Sequence, residues 1–262
     1  TFAPEDLDLI RRDPSDRRAF MDSSLVQLKP RLAGVKSDYD RVLKQRNALL
    51  KSARSVKNPD LGTLDIWDDQ LVALGTELTI ERLNLVAQLE PLIKDFYAKL
   101  SASNEKVRLR LVSAVGAEEG ENFADIESDV KAYSNDFYQR LETLRDREIE
   151  RGITLAGPHR DELVIEKGGL LAKSHASQGE AWSLALGLKL ALGSVSRKNS
   201  DLGDPILLLD DVFAVLDKGR RQRLLEFVTD YEQVFITAAD QAMAPRLDWA
   251  AELSVSKGVL GA

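Results

Sequence analysis

The stretch Pro205-Ile-Leu-Leu-Leu-Asp-Asp-Val-Phe-Ala-Val-Leu-Asp217 runs an apolar segment directly into two adjacent carboxylates, Asp210 and Asp211. A short apolar run of this kind reads as a buried strand. Burying one unpaired carboxylate is costly and two side by side repel, so something cationic should meet them. The flanking pattern alternates: helix from Gly179 to about Arg197, strand from Pro205 to Leu209, helix from Lys218 to about Thr229, strand from Gln233 to Thr237. Such alternation predicts an α/β layer with parallel strands. In open sheets of that type ligands gather beyond the carboxyl ends of the strands, where Asp210 and Asp211 fall. A Mg²⁺ carried by nucleotide phosphates would supply the missing positive charge. On this strand alone the plainer alternative stays open, that the two acids start a loop or cap its helix.

The front of the chain has a different character. Asp13-Pro14 is a helix start, and the pattern stays helical to about Lys57. Asn58-Pro59-Asp60-Leu61-Gly62 is a turn. A second long helix begins near Ile66, with Leu71, Leu74, Leu78, Leu85, Leu89, Leu92, Phe96 and Leu100 making one apolar face. Two long helices around a short turn predict an antiparallel pair. Lys106 to Val112 alternates and reads as a strand with Arg108 and Arg110 outward, and Asn122 to Glu150 returns to helix. Gly152–Ala156 and Glu162–Glu166 read as short strands around Gly157-Pro158-His159-Arg160-Asp161, Lys167-Gly168-Gly169 as a hairpin turn, and Glu252–Ser256 with Val259–Leu260 as an edge hairpin. The expected organisation is a head segment over 1–36, a helical arm over 37–150 and a C-terminal α/β part over 151–262.

At 262 residues and 44% hydrophobic the chain can bury one large core or two smaller ones. It has no run of 18 apolar residues and no signal-peptide pattern, and it has no cysteine, so a soluble, cytoplasmic protein with no membrane partner is expected. With two histidines, a histidine-rich metal site is unavailable. The net charge of −7 argues against a chain coated in nucleic acid, yet the charge is uneven. Lys29–Lys57 holds nine basic and two acidic residues, a balance of +7 that leaves −14 for the rest. Lys44, Arg46, Lys51, Arg54 and Lys57 within it read either as a solvated helix face or as a cluster that neutralises duplex phosphates without reading sequence. The absence of aromatic residues after Tyr39 within Lys29–Lys57 makes base stacking the weaker option.

Ser177-Gln178-Gly179-Glu180 precedes a helix with Leu184, Leu188 and Leu192 at helical spacing. Ser followed by Glu three residues later is a capping box, and the same helix N-terminus can also bind phosphate. Asp217, just after the aspartate pair, reads as a further N-cap. In this order and spacing the three features resemble an ABC-type ATPase head: signature loop, Walker B strand, D-loop. Phe2-Ala-Pro-Glu-Asp-Leu7, Arg17-Arg18-Ala-Phe20, Arg41-Val-Leu-Lys-Gln-Arg-Asn47, Gly157-Pro-His-Arg-Asp161, Ser177-Gln-Gly-Glu180 and Leu207-Leu-Leu-Asp-Asp-Val212 are similar to words of the RecF family of bacterial DNA-repair ATPases, in order from Thr1 to about Asp240.

The resemblance implies an α/β fold that is part of an ABC-type ATPase head, a parallel or mixed sheet with flanking helices, carrying an inserted arm of antiparallel long helices. It implies ATP and Mg²⁺ as cofactors. Asp210 would hold Mg²⁺ through water, and Asp211, where most ABC heads have Glu, would orient or deprotonate the attacking water. Ser177, Gln178, Gly179 and Glu180 would meet a nucleotide held by a second subunit, and Asp217 would lie across that dimer interface. It further implies an ATP-dependent homodimer that closes on double-stranded or gapped DNA and works with RecO and RecR in loading RecA.

Two departures from the general ABC pattern stand out: the signature reads Ala176-Ser-Gln-Gly-Glu180, and Thr237-Ala-Ala-Asp240 has no switch histidine, which suggests slow turnover. No G-x-x-x-x-G-K-[ST] occurs, and its nearest imitation, Lys173-Ser174, reads as a strand end. The chain opens at Thr1, and the expectation is that a phosphate loop lies upstream. Two alternatives stand beside the clamp: a non-catalytic head-and-arm module that binds DNA or a protein, and another SMC-like head, disfavoured because such arms are usually far longer. His159 and Arg160 could face nucleotide or DNA, though a lone His-Arg beside a Pro is more often structural, and His175 is less informative still.

Overall fold

The computed structural model describes residues 1–55, 62–117, 124–126, 129–200, 203–240, 251–256 and 259–261. These form two compact units: Glu5–Pro205, and Thr1–Pro4 together with Ile206–Ala262.

In the larger unit, α1 (Asp8–Arg11) leads into α2 (Pro14–Leu28), α3 (Leu32–Arg54) and the 38-residue α4 (Leu64–Ser101). At about 1.5 Å per residue α4 is roughly 57 Å long. The continuous helix expected from Asp13 to Lys57 is broken at Lys29-Pro30-Arg31. Pro30 has no N–H to donate and pushes Lys29 out of the helical region, to φ −139 and ψ 83. Helices α3 and α4 run antiparallel: Arg46 pairs with Asp68, while Tyr39 lies against Gly75. The expected turn at 58–62 lies outside the described residues except for Gly62.

Strands β1 (Val107–Ser113), β2 (Ala124–Asp125), β3 (Glu162–Lys167) and β4 (Leu170–Leu171) form an antiparallel sheet in the order β2-β1-β3-β4. Arg108 is exposed and Arg110 pairs with Asp125 and Glu166, as an outward face requires. Helix α5 (Val130–Arg151) packs Tyr133, Phe137, Leu141 and Leu144 into the core with Tyr39, Val42, Leu71 and Val72. Gly75 lies at the crossing of this core, where an added Cβ would come 2.7 Å from Phe137 and 3.1 Å from Tyr39, so the helices approach as closely as they do only over a hydrogen.

The strand expected at Gly152–Ala156 is absent. Its donors are taken by side chains instead of a ladder: Thr154 N–H bonds Asn47 Oδ1 at 2.7 Å and Leu155 N–H bonds Glu148 Oε1 at 2.6 Å. Lys173-Ser174 falls in a helical turn, α6 (Ala172–His175), rather than at a strand end. Helix α7 (Gln178–Asn199) then buries Leu184, Leu188, Leu190 and Ala191.

The smaller unit holds a parallel pair, β5 (Leu207–Asp210) and β6 (Val234–Thr237), connected through the short α8 (Val212–Val215) and α9 (Lys218–Val228). Phe2 adds a parallel bridge to the other side of β5: its N–H bonds Leu208 O and its carbonyl accepts from Asp210 N–H. Leu209 is buried, whereas Ile206, Leu208 and Phe235 are exposed on the opposite face. Strands β7 (Ser254–Ser256) and β8 (Val259–Gly261) make an antiparallel hairpin. Among the described residues no helix is long and apolar enough to cross a membrane.

Candidate functional site

Asp210 closes β5 and is exposed, and Asp211 follows in the left-handed region at φ 48 and ψ 24. A non-glycine residue there is uncommon, although Asp tolerates it, and such conformations concentrate at functional sites. The turn sends the chain into α8, whose Val212 and Phe213 are fully buried and anchor it. One hydroxyl organises both acids. Thr237 Oγ1 donates to Asp210 Oδ1 and accepts from Asp211 N–H at 3.2 Å. Among the described residues neither carboxylate has an ion pair, and Asp211 Oδ1 is buried without a hydrogen-bond partner. The exposed Asp210 carboxylate is a hard oxygen donor of the kind that suits Mg²⁺, which keeps several waters and takes one or two carboxylates plus phosphate oxygens, while the orphaned Asp211 oxygen beside it suits a hydrogen bond from a water. No third acidic or histidine ligand joins them among the described residues, so waters and phosphate oxygens would complete the shell.

Thr237 is legible in the sequence only indirectly. The absence of a switch histidine draws attention to the residues after it. The signal that finds Thr237 itself is equal depth in neighbouring parallel strands, which sets Asp210 opposite Thr237.

Ser177 and Gln178 lie at the start of α7, Ser177 as its exposed N-cap, with Glu180 partly covered. The capping box is complete: Ser177 Oγ accepts from Glu180 N–H at 3.4 Å, and Ser177 N–H donates to Glu180 Oε2 at 2.8 Å. Glu180 spends its second oxygen on Lys167 Nζ at 2.8 Å, so both oxygens are used within the chain. Its carboxyl is held below the ordinary range by Lys167 first and the Ser177 amide second. Asp217 caps α9, accepting from Arg220 N–H at 2.9 Å and from the Arg220 guanidinium at 2.6 Å. The Arg220 amide is the main cause of its lowered pKa.

The basic cluster needs correction. Arg46 is fully buried, with Nε 2.6 Å from Asp68, Nη2 2.7 Å from Glu148 and Nη1 donating to Thr154 Oγ1 at 2.9 Å. Asp68 is braced in turn by Arg145 at 2.9 Å. Arg46 therefore rivets α3, α4, α5 and the 152–156 segment together and can meet no outside partner. Lys44, Lys51 and Arg54 are exposed, and steps of seven and three residues put them on one side of α3. Lys57 lies outside the described residues.

His159 and Arg160 are structural here. Tyr39 OH donates to His159 Nδ1 at 2.7 Å, while His159 Nε2 lies 3.3 Å and Arg160 Nε 2.9 Å from Thr154 O. Burial lowers the imidazole to about 4, which keeps it neutral with Nε2–H facing the carbonyl. Arg82 bonds Pro158 O at 2.7 Å and Arg18 bonds Asp161 O at 2.9 Å, so the whole Gly157–Asp161 word is a junction between helices. His175 is exposed, its Nδ1 3.2 Å from Leu171 O. The same unit has a cleft of about 530 Å³ lined by Arg18, Lys36, Tyr39, Arg82 and His159, but Lys36 is paired with Asp40 and Arg82 with Asp22.

The architecture and the two loops define the class: part of an ABC-type ATPase head, a mixed α/β fold with an inserted arm of antiparallel long helices. No family model matches the chain. Curated relatives do. The DNA replication and repair protein RecF of Clavibacter michiganensis subsp. michiganensis is 48% identical over 254 residues, covering 91% of this chain and 62% of that protein. RecF of Leifsonia xyli subsp. xyli is 49% identical, covering 91% and 64%. RecF of Streptomyces avermitilis is 44% identical over 264 residues, covering 99% of this chain and 68% of its own length. The chain belongs to the RecF family of DNA replication and repair proteins. It spans less than two thirds of the length of the Clavibacter and Leifsonia proteins. A solved structure of the recombination mediator protein RecF with ATP, from the RecFOR pathway, matches with a TM-score of 0.82 at 23% identity over 99% of this chain and 66% of that one. This likeness carries the fold.

Proposed function

We propose that the chain is the arm and the catalytic strand end of an ATP-driven DNA clamp, acting in the cytoplasm. The observation that carries this reading is the pair Asp210 and Asp211, set at the carboxyl end of a parallel strand by Thr237, with one buried carboxylate oxygen lacking a partner. Asp210 would hold Mg²⁺ and Asp211 would orient or deprotonate the attacking water. The ion, when bound, neutralises charge on the phosphates. Ser177 and Gly179, at an exposed helix N-terminus, would touch the γ-phosphate of a nucleotide held by a second copy, whereas Gln178 stands beside them and Glu180 acts through Ser177. Asp217, half exposed while capping α9, would face the second copy. Contacts to the γ-phosphate made only in the closed dimer give ATP its differential affinity for that state. The dimer would close on double-stranded DNA near gaps and, with RecO and RecR, promote RecA loading.

Ser177→Arg in the full-length protein is expected to abolish ATP-dependent dimerisation, read by light scattering, while nucleotide binding survives. Dimers that persist would refute the trans contact. Charge reversal of Lys44, Lys51 and Arg54, with Arg46 left intact, should weaken duplex binding and flatten the log–log salt dependence by about 2–3, at roughly 0.9 for each phosphate no longer neutralised. An unchanged slope would mark that face as merely solvated. For the 262 residues taken alone, which hold no G-x-x-x-x-G-K-[ST], a non-catalytic interaction module is the second reading.

A further inference from the structure

We propose that Lys167 is the positioning residue for the Ser177 turn, holding the Glu180 carboxylate in the orientation that fixes the serine's backbone for a nucleotide contact. The inference rests on the trans-contact reading of Ser177 given above. Of the two reciprocal bonds in the capping box, the hydroxyl one is long at 3.4 Å and the carboxylate one short at 2.8 Å. The Ser177 backbone is therefore held chiefly by Glu180, and its exposed hydroxyl is left able to turn toward a ligand. Glu180 is a three-torsion side chain near the surface and would sample several rotamers if held by one bond alone. Lys167 Nζ supplies the second, to Glu180 Oε1 at 2.8 Å, so each carboxylate oxygen has its own donor.

Lys167 is itself placed by the sheet. It is the last residue of β3, opposite Val107 of β1, and its side chain is only 11% exposed. The next residue, Gly168, turns at φ +57 and donates to Lys106 O at 2.9 Å; an added Cβ there would press on Glu105 at 3.2 Å. Glu105 takes the other side of the ammonium at 3.0 Å. Glu105 lies between the end of α4 and the start of β1, so three side chains, Glu105, Lys167 and Glu180, link the connection after the long helix to the Ser177 backbone amide. The charge state fits: Lys167 is held above its ordinary pKa by Glu180 first and Glu105 second. An ordinary ion pair between exposed side chains would support only local stability and would leave the Ser177 amide alone.

The test compares Lys167→Met and Lys167→Arg in the full-length protein; Met keeps the apolar stem at the strand end. Amide exchange at Ser177 is expected to quicken in Lys167→Met and return toward wild type in Lys167→Arg. The ATP concentration for half-maximal dimerisation should rise about tenfold or more in Lys167→Met, the worth of one charge-assisted hydrogen bond, with the monomer's nucleotide affinity unchanged. Unchanged exchange at Ser177 in Lys167→Met, or an Arg variant as impaired as the Met one, overturns the positioning role. Wild-type protein that stays monomeric with ATP overturns the trans-contact reading and the consequence drawn for dimerisation, while the exchange measurement still decides whether Lys167 holds the turn.

Discussion

Arg46→Met is expected to destabilise the larger unit by about 3–5 kcal/mol, the cost of stripping one partner from a buried ion cluster. The guanidinium meets Asp68, Glu148 and Thr154 with no exposure at all, and Met fills much of its volume but satisfies none of them. Asp68 keeps Arg145 and Glu148 keeps the Leu155 amide, so the loss falls short of leaving bare charges. The pH dependence identifies the cause. Burial already raises the Glu148 pKa in the intact protein, against the pull of Arg46. Removing Arg46 raises it further, so the folded variant binds a proton that the unfolded chain has released. The deficit should therefore shrink as pH falls through the raised pKa toward about 4.5, and grow again toward neutrality. Urea unfolding followed by tryptophan fluorescence at neutral and at mildly acid pH measures both, since Trp67 packs on the adjoining core. A deficit that ignores pH would show that lost packing, not stranded charge, sets the cost. Adding Glu148→Leu to Arg46→Met should recover part of the loss.

Asp211→Asn should cut ATP hydrolysis by the full-length protein by about 10²–10⁴-fold, the usual worth of a positioned general base. Asn keeps the shape and tolerates the left-handed backbone at φ 48, so α8 and the strand end should fold as before. Nucleotide affinity and ATP-dependent dimerisation are expected to survive, because in the proposed role Asp211 accepts a proton and does not touch phosphate. Single-turnover hydrolysis beside equilibrium nucleotide binding separates the two. Hydrolysis within a few-fold of wild type would move the base elsewhere.

The long elements are legible because their cause is local. Leucine spacing sets α4, the Ser177/Glu180 pair sets the start of α7, and an apolar run between turn residues sets β5. Expectation and structure part where a distant side chain decides. Ile153 to Ala156 alternates like a strand, yet Asn47 and Glu148 take its backbone donors. Arg46 counts as one more surface charge in the sequence, since nothing nearby in the chain tells that its partners Asp68 and Thr154 lie 22 and 108 residues away. Pro30 is a local signal of a different kind: the breaker is in plain view, and the helical pattern on both sides hides it. In the candidate site the acids announce themselves, whereas Thr237 looks like an ordinary strand end and Lys167 like a turn residue until the sheets place them.

The alignment of β5 with β6 also works as a gauge. Asp210 faces Thr237 across a ladder of four residue pairs, and a slip of one position would set Ile236 or Ala238 there instead. Neither has a hydroxyl to tie the two acids together, and the slip would turn every side chain of the strand to the opposite face. Zipping these two strands correctly and gathering the two acids on one hydroxyl are thus a single event. Any influence that loosens this short ribbon should part Asp210 and Asp211 from Thr237.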